Sequence, residues 1–420
     1  MKYYNRDIEN LFTDYTKNFK SILITGPRQI GKSTFLKRLK EEKRSYVTLD
    51  DLDLRAFANR DPKKFIEMYK PPVIIDEIQY APKILSYIKI VCDNSEKRNL
   101  YWLTGSQKIQ IMKNVSETLV GRMGVLDMYS LSNRESNQSK YLPLDLENLV
   151  EGDYISKEDV LVKMFNGSMP DVVCNNVNRE YFYNSYVDLY VERDIRELKE
   201  VQDLETFRLF MAEIASHAGQ LLNYSEIASS VGINDKTVKT WTSILENTGI
   251  IKLIYQFKHD EFKRKKTHPK LVFMDTGLCI FLLGIKSITR LKEYSFLGNL
   301  FESYVISEII KNNVNFNLNF DFSYYRDKNK REIDLIITDE NSKNHLYEIK
   351  MNNKVDIRMI KNFQLIKDNI SNGGIICTAK VMENLDNKNQ IIPLSAIIDW
   401  FRKIPKWKKS ECVWLCCFNI

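Results

Sequence analysis

Gly26-Pro27-Arg28-Gln29-Ile30-Gly31-Lys32-Ser33 constrains this chain more than any other stretch. It follows the pattern G-x-x-x-x-G-K-[ST], which works only as a loop between a strand and a helix. The apolar run Ile22-Leu23-Ile24 leads into it, and Thr34-Phe35-Leu36-Lys37-Arg38-Leu39 follows at helical spacing. This predicts a strand–loop–helix unit of an α/β fold. Backbone N–H groups in such a loop point inward and hold phosphate oxygens, aided by the positive end of the helix. Lys32 is expected to reach the β- and γ-phosphates, and Ser33 to offer its hydroxyl to Mg²⁺.

A second run, Pro71-Pro72-Val73-Ile74-Ile75, ends in Asp76-Glu77. Unbroken apolar character is what a parallel strand buried on both faces requires. Asp76 is expected to hold Mg²⁺ through water and Glu77 to orient and polarise the attacking water. A third run, Leu100 to Thr104, ends in Gly105-Ser106-Gln107. Either Ser106 or Gln107 could touch the γ-phosphate or the water, and a plain turn is an equal alternative. Arg122 stands between Gly121 and Met123-Gly124. It is read as an arginine for transition-state charge, in cis or from a neighbouring copy in a homo-oligomer; a surface arginine in a turn is the alternative.

The stretches SILITGPRQIGKST, PPVIIDEIQYAP, YWLTGSQ and LVGRMGVLDMYSLSNRE resemble the nucleotide-binding domain of AAA-type ATPases. Within that group the chain is similar to a prokaryotic family that joins this domain to a C-terminal domain of unknown function. The resemblance covers the first third well and the remainder more weakly. It implies ATP and Mg²⁺ as ligands, with Gly26, Pro27, Arg28, Gln29, Ile30, Gly31, Lys32, Ser33 and Thr34 binding nucleotide. It also implies that Asp76 and Glu77 serve Mg²⁺ and hydrolysis.

The chain has 420 residues, 44% hydrophobic and 28% charged. That suits a soluble protein of about three domains. No run of roughly 18 apolar residues predicts a membrane span, and the start MKYYNRDIENLF has no signal-peptide core. Seven cysteines (Cys92, Cys174, Cys279, Cys377, Cys412, Cys416 and Cys417) are dispersed without a C-x-x-C pair. This reads as a reduced, cytoplasmic set, and no histidine near the last three argues for zinc. A net charge of +7 permits nucleic-acid binding without requiring it.

Ser136–Asp145 reads as a linker, and Ser156 to about Glu205 as helical. Within the latter, Tyr190-Val191-Glu192-Arg193-Asp194-Ile195-Arg196-Glu197-Leu198 is expected to be a solvated helix face. Tyr224 opens a short helix broken at Val231-Gly232, and Asn234 or Asp235 caps a second one ending near Asn247. Val238, Trp241, Ile244 and Leu245 form its buried stripe, leaving Lys236, Thr237, Lys239, Thr240 and Ser243 outward. A strand from Ile250 to Tyr255, a basic tip over Lys258–Lys270 and Leu271-Val272-Phe273-Met274 complete a winged-helix pattern. Lys263, Arg264, Lys265 and Lys266 could neutralise DNA phosphates; contact with a protein partner is the alternative.

Near the C-terminus, Glu302 lies on a helical stripe with Ile306 and Ile309, where a carboxylate needs a cation or metal. Two strands follow, one carrying Asp334 and one carrying Glu348 and Lys350 on a common face. The carboxylates suit Mg²⁺ or Mn²⁺, and Lys350 would stabilise charge on a scissile phosphate. A charged hairpin face is the alternative. The order E…D…E-x-K resembles the restriction-endonuclease-like superfamily and its PD-(D/E)-x-K motif, with Ile333-Asp334 in place of Pro-Asp. That implies Asp334, Glu348 and Lys350 as catalytic residues and Glu302 as an accessory ligand. The expected architecture is an AAA-type P-loop domain (1–135), a linker and helical region (136–205), a winged helix (206–285) and a small α/β nuclease-like domain (286–420). Two functions are expected: an ATP-hydrolysing, DNA-binding protein with metal-dependent nuclease potential, or a nucleotide-controlled switch with a silent nuclease fold.

Overall fold

The computed structural model of the chain describes residues 3–106, 121–138, 144–150, 152–195, 201, 203–257 and 268–398. The apolar runs of the first third form strands β1 (Ser21–Thr25), β2 (Ser45–Thr48), β3 (Val73–Asp76), β4 (Tyr101–Gly105) and β5 (Met123–Asp127). They make a sheet in the order β2-β3-β4-β1-β5. Every pairing is parallel. Helices cover both faces, so β1, β3 and β4 are buried at every position. On one face Phe12 meets Phe35 and Trp102 edge-on, with ring centroids 5.4 and 4.8 Å apart. The loop leaving β1 and the acids ending β3 both emerge at the carboxyl end of the sheet, where open α/β sheets place their ligands.

Ser132 and Glu135 cap the Asn133–Asn137 helix reciprocally, as Ser156 and Asp159 cap Lys157–Asn166. The expected linker is tied down at both edges of its described part. Ser136 and Asn137 finish a helix, and buried Leu144 donates its N–H to Asn312 Oδ1 at 3.2 Å; residues 139–143 lie outside the described residues. The Arg179–Leu189 helix runs into a wider π-helical turn over Tyr190–Ile195. Tyr190, Val191 and Ile195 are buried there, so that segment is anchored rather than simply solvated. Arg196, Glu197 and Leu198 lie outside the described residues.

Asn223 caps Tyr224–Val231, Gly232 turns at φ 79°, and Asn234 caps Asp235–Asn247. Val238, Trp241, Ile244 and Leu245 are buried, while Lys236, Lys239 and Ser243 are exposed and Thr237 and Thr240 partly so. Trp241 packs edge-on against Phe207 and Phe210 of the Leu204–Ser216 helix. β6 (Ile251–Gln256) then pairs antiparallel with β7 (Lys270–Phe273). Lys263, Arg264, Lys265 and Lys266 lie outside the described residues.

The remaining strands are β8 (Asp321–Arg326), β9 (Glu332–Thr338), β10 (Asn344–Lys350), β11 (Ile370–Cys377), β12 (Glu383–Asn384) and β13 (Asn389–Pro393). β6 pairs in parallel with β8, which joins the ribbon to an eight-stranded sheet in the order β12-β13-β11-β10-β9-β8-β6-β7. Strands from both sides of the boundary expected near residue 285 share this sheet. The Leu297–Phe316 helix packs on β7 and β10 and is buried along most of its length. Its buried residues include Glu302, Ser303, Ser307, Glu308, Lys311, Asn312 and Asn315 beside the apolar ones, so its burial depends on partners for those polar groups. Among the described residues no helix is long and apolar enough to cross a membrane.

Candidate functional site

Left-handed backbone at Gln29 (φ 59°) and Gly31 (φ 91°) wraps the loop after β1 into a cradle. Gly26 (φ 142°) has no room for a side chain: a Cβ there would lie 2.0 Å from Met128 O. Pro27 is buried near Gly249, where an added Cβ would meet its ring at 2.9 Å. Lys32 is buried and donates to Gly26 O at 2.9 Å and Pro27 O at 2.6 Å, so its ammonium is folded over the loop.

The acids lie beside this loop. Asp76 Oδ1 accepts from Ser33 Oγ at 2.9 Å and from Thr104 Oγ1, and Asp76 Oδ2 accepts from Tyr46 OH at 2.6 Å. Burial and the neighbouring Asp76 carboxylate push the Tyr46 phenol well above its usual range. Glu77 sits in a left-handed conformation (φ 58°), its N–H bonded to Thr104 Oγ1 at 3.0 Å. Gln79 Nε2 donates to Glu77 Oε2 and, at 3.2 Å, to Ser106 Oγ. Of the alternatives at the end of β4 (Ser106, Gln107 or a plain turn), Ser106 is linked to Glu77 through Gln79, and Gln107 lies outside the described residues. Gln79, Thr104 and Tyr46 were given no role from sequence. Gln79 stands two places after Glu77, the spacing that could have drawn attention to it.

The loop, Glu77, the first residues of the chain and two helices enclose a cleft of about 410 Å³, within the usual range for a ligand the size of a nucleotide. Thr34 and Ile30 line it from the loop. Pro170 and Cys174 come from the Pro170–Asn175 helix, and Tyr186 and Leu189 from Arg179–Leu189. Arg6 braces the rim: it donates to Ile30 O at 2.9 Å, Tyr129 O at 2.7 Å and Glu135 Oε1 at 2.9 Å. Sequence reading missed Arg6 and Glu135, although the S-x-x-E spacing of Ser132 and Glu135 was a capping signal.

The donor set fits Mg²⁺. A serine hydroxyl and an aspartate oxygen at hydrogen-bond distance leave positions for water and phosphate oxygens, as this hard cation prefers.

Arg122 departs from the expectation of a role toward its own loop. Its carbonyl accepts from Ser21 N–H at 3.2 Å, at the start of β1. Roughly 16 Å of strand separates that end from the loop. Its guanidinium binds Asp93 and holds that carboxyl below its usual range.

In the C-terminal sheet Glu302, Asp334, Glu348 and Lys350 border one cleft of about 650 Å³. Lys350 Nζ lies 2.8 Å from both Asp334 Oδ2 and Glu348 Oε2, and Ile349 N–H donates to Asp334 Oδ2 at 2.9 Å. Lys270, read from sequence as part of a basic tip, is instead wholly buried. It bonds Glu302 Oε1 at 2.5 Å, Glu332 Oε1 at 3.0 Å and Asp334 O at 3.0 Å. Burial alone would lower its pKa, but Glu302, Asp334 and Glu332 outweigh that and raise it. Arg326 and Lys330 also line the cleft, and Arg326 lies 3.4 Å from Glu332. Burial pushes Glu302 up to about 8, opposed by Lys270 and aided by Asp334. Burial and Asp334 push Glu348 up to about 8.

A divalent metal does not fit this cleft as arranged. Among the described residues no three acidic, histidine or cysteine side chains converge as a metal-holding group. The expected ligands Glu302, Asp334 and Glu348 are each held at hydrogen-bond distance by Lys270 or Lys350, whose ammonium groups stand where a cation would have to sit.

The family description "AAA domain" matches residues 18–137, a domain of unknown function (DUF8612) matches 157–289, and a domain of unknown function (DUF4143) matches 297–397. The chain is 24% identical over 289 residues to the uncharacterized proteins Mb2031c of Mycobacterium bovis and Rv2008c of Mycobacterium tuberculosis. Those matches cover 69% of this chain and 62% of each relative, less than two thirds of the relatives' length. Among solved structures it is similar to the Walker-type ATPase PABY2304 of Pyrococcus abyssi, at 15% identity and TM-score 0.39, covering 66% of this chain and 94% of that one. It is also similar to a single-residue variant of RuvB from Thermotoga maritima, at 12% identity and TM-score 0.28, covering 62% and 94%. The parallel sheet, the phosphate loop and the match over residues 18–137 together identify that segment as an AAA-type P-loop domain.

Proposed function

We propose that the chain hydrolyses ATP in the cleft above β1 and β3 and uses turnover to control a DNA-binding surface. The observation that carries this is that Lys32 and Ser33 after β1 and Asp76 and Glu77 at the end of β3 come together beside one cleft, with Ser33 bonded to Asp76. Mg²⁺ bound there would neutralise charge on the β- and γ-phosphate oxygens. Gly26–Thr34 hold the phosphates through backbone N–H groups and Lys32. Glu77, oriented by Gln79, aligns the lytic water and accepts its proton. The exposed Lys236 and Lys239 on the second helix of the helix–turn–helix support contact with DNA phosphates. The C-terminal cleft, its acids countered by Lys270 and Lys350, acts in this reading as a scaffold.

The test is ATP hydrolysis by the purified chain with and without double-stranded DNA, alongside Lys32→Ala and Glu77→Ala. Turnover that rises with DNA and vanishes in both variants is the expected result. Turnover indifferent to DNA would move the partner from DNA to protein, and absence of turnover would sink the ATPase reading.

A second reading, metal-dependent cutting of DNA, would need Lys270 and Lys350 to release the carboxylates they now hold; the observation that favours it is that Asp334 and Glu348 both lie 2.8 Å from Lys350. It requires cleavage with Mg²⁺ or Mn²⁺ that Asp334→Ala abolishes while ATP turnover persists. A wild type that cuts no DNA with either metal removes it.

A further inference from the structure

We propose that Arg28 is the arginine that meets the γ-phosphate within this chain. The proposal rests on the nucleotide reading above and goes beyond it by assigning the transition-state charge to the phosphate loop itself.

Among the described residues, three basic side chains line the cleft: Arg6, Arg28 and Lys32. Arg6 is buried and directs three N–H groups to Ile30 O, Tyr129 O and Glu135 Oε1. Its work is to brace the loop from behind. Lys32 reaches the loop carbonyls of Gly26 and Pro27. Arg28 differs from both. It sits at the crest of the loop, between Gly26 and Gly31, and remains partly exposed to the cleft.

Its direction is given by Tyr80. Arg28 Nη2 donates to Tyr80 OH at 3.3 Å, a long bond. Arg55 lies over the Tyr80 ring, its guanidinium carbon 3.7 Å from the centroid, and fixes that ring by stacking. Tyr80 ends the short 3₁₀ turn Ile78–Tyr80 that follows Glu77. Arg28 therefore leans toward the acid that handles the water, which is the γ side of a bound nucleotide. Arg122 cannot take this place from within the chain, because it lies at the opposite end of β1 and is bound to Asp93.

In the reaction the water oxygen bonds to the γ-phosphorus and the bond from that phosphorus to the β–γ bridging oxygen breaks. The water proton passes to Glu77, and ADP and inorganic phosphate leave. Negative charge is carried by the γ oxygens and the departing β oxygen. A planar guanidinium with paired donors matches those oxygens better than an ammonium does. ADP has no γ-phosphate, so Arg28 should contribute to ATP binding and turnover and little to ADP binding.

The experiment uses the full chain with Arg28→Ala and Arg28→Lys, and reads MgATP and MgADP affinity by titration as well as kcat. Arg28→Ala is expected to lower kcat on the order of 1,000-fold, the low end of what such an arginine contributes. MgADP affinity should stay within about twofold while MgATP loses its advantage over MgADP, since only ATP presents the γ oxygens. Arg28→Lys should recover little, because it lacks the planar fork. Turnover per molecule should not depend on protein concentration. MgATP and MgADP affinities falling together would make Arg28 a support of the loop and overturn the proposal. So would unchanged kcat in Arg28→Ala, or turnover that climbs with concentration regardless of Arg28, the mark of an arginine from a neighbouring copy. A wild type that binds neither nucleotide would overturn the nucleotide reading itself, a separate outcome.

Discussion

Glu302 and Glu308 share the Leu297–Phe316 helix, yet Glu302 binds Lys270 under the C-terminal cleft while Glu308 accepts the Asn133 backbone N–H at 2.6 Å beside the nucleotide segment. The same helix sends Lys311 to Leu131 O at 3.2 Å and Asn312 to Leu144 N at 3.2 Å. One helix thus lines the C-terminal cleft with Glu302 and, through buried polar groups, holds Leu131, Asn133 and Leu144, of which Leu131 borders the nucleotide cleft.

Removing one partner of a buried pair leaves the other charge stranded. Lys311 and Glu308 lie 2.9 Å apart with side chains 2% and 3% exposed. Glu308→Ala is therefore expected to cost about 3–5 kcal/mol, seen as a lower urea midpoint. Glu308→Leu with Lys311→Met should recover most of that loss. An unchanged midpoint in the single variant would mean that the pair does not hold the helix to residues 131–135.

The C-terminal cleft sets a pH dependence with a definite sign. Glu302 and Glu348 move from an ordinary 4.5 to about 8 on folding. Between those values the folded chain keeps protons that the unfolded chain has released, so stability falls as pH rises. The contribution is complete below about 4.5 and gone above about 8, a difference on the order of a few kcal/mol. Asp334 has the opposite shift and acts below this window. Urea midpoints should decline from pH 5 to about 8.5 in the wild type, with a shallower decline in Glu302→Gln and in Glu348→Gln.

At the nucleotide site, Asp76→Asn should weaken nucleotide binding in Mg²⁺ and leave binding in chelator nearly unchanged, because the carboxylate is proposed to serve the metal. Asp76 also holds Ser33, Thr104 and Tyr46. Equal loss with and without Mg²⁺ would therefore assign it a structural task alone.

Glu77→Gln should keep MgATP affinity and lower kcat at least about 100-fold, the scale of a lost general base. Gln79→Leu removes the amide that holds the Glu77 carboxylate. It should lower kcat less than Glu77→Gln and shift the pH profile of turnover, which a mere packing defect would not do.

Gly26→Ala places a Cβ where Met128 O lies 2.0 Å away, on backbone at φ 142°. Nucleotide binding should be lost and the thermal midpoint lowered, by strain at a conformation that alanine resists. Retained affinity would show that the loop can shift away from β5 without cost.

The sequence determined what local chemistry can write. The loop and both acids were legible because a phosphate cradle needs Gly26 and Gly31 at left-handed or crowded backbone positions and because parallel strands need unbroken apolar runs such as Val73-Ile74-Ile75. The stripe of Val238, Trp241, Ile244 and Leu245 was legible for the same reason, a helical period with one buried face. Tertiary structure alone decided which distant groups meet. Nothing local links Lys270 to Glu302 and Glu332, or Arg6 to Ile30 and Glu135. Lys270 read as the last residue of a basic hairpin tip; strand pairing of β6 with β7 and β8 drew it inward, where the carboxylates of Glu302 and Glu332 compensate it. Arg122 read either as a transition-state arginine, in cis or from a neighbouring copy, or as a surface arginine in a turn; the direction of a parallel strand put it at the end of β1 away from its own loop, bound to Asp93. Sequence spacing fixes local conformation, whereas the position of a charge relative to a site follows from strand direction and order.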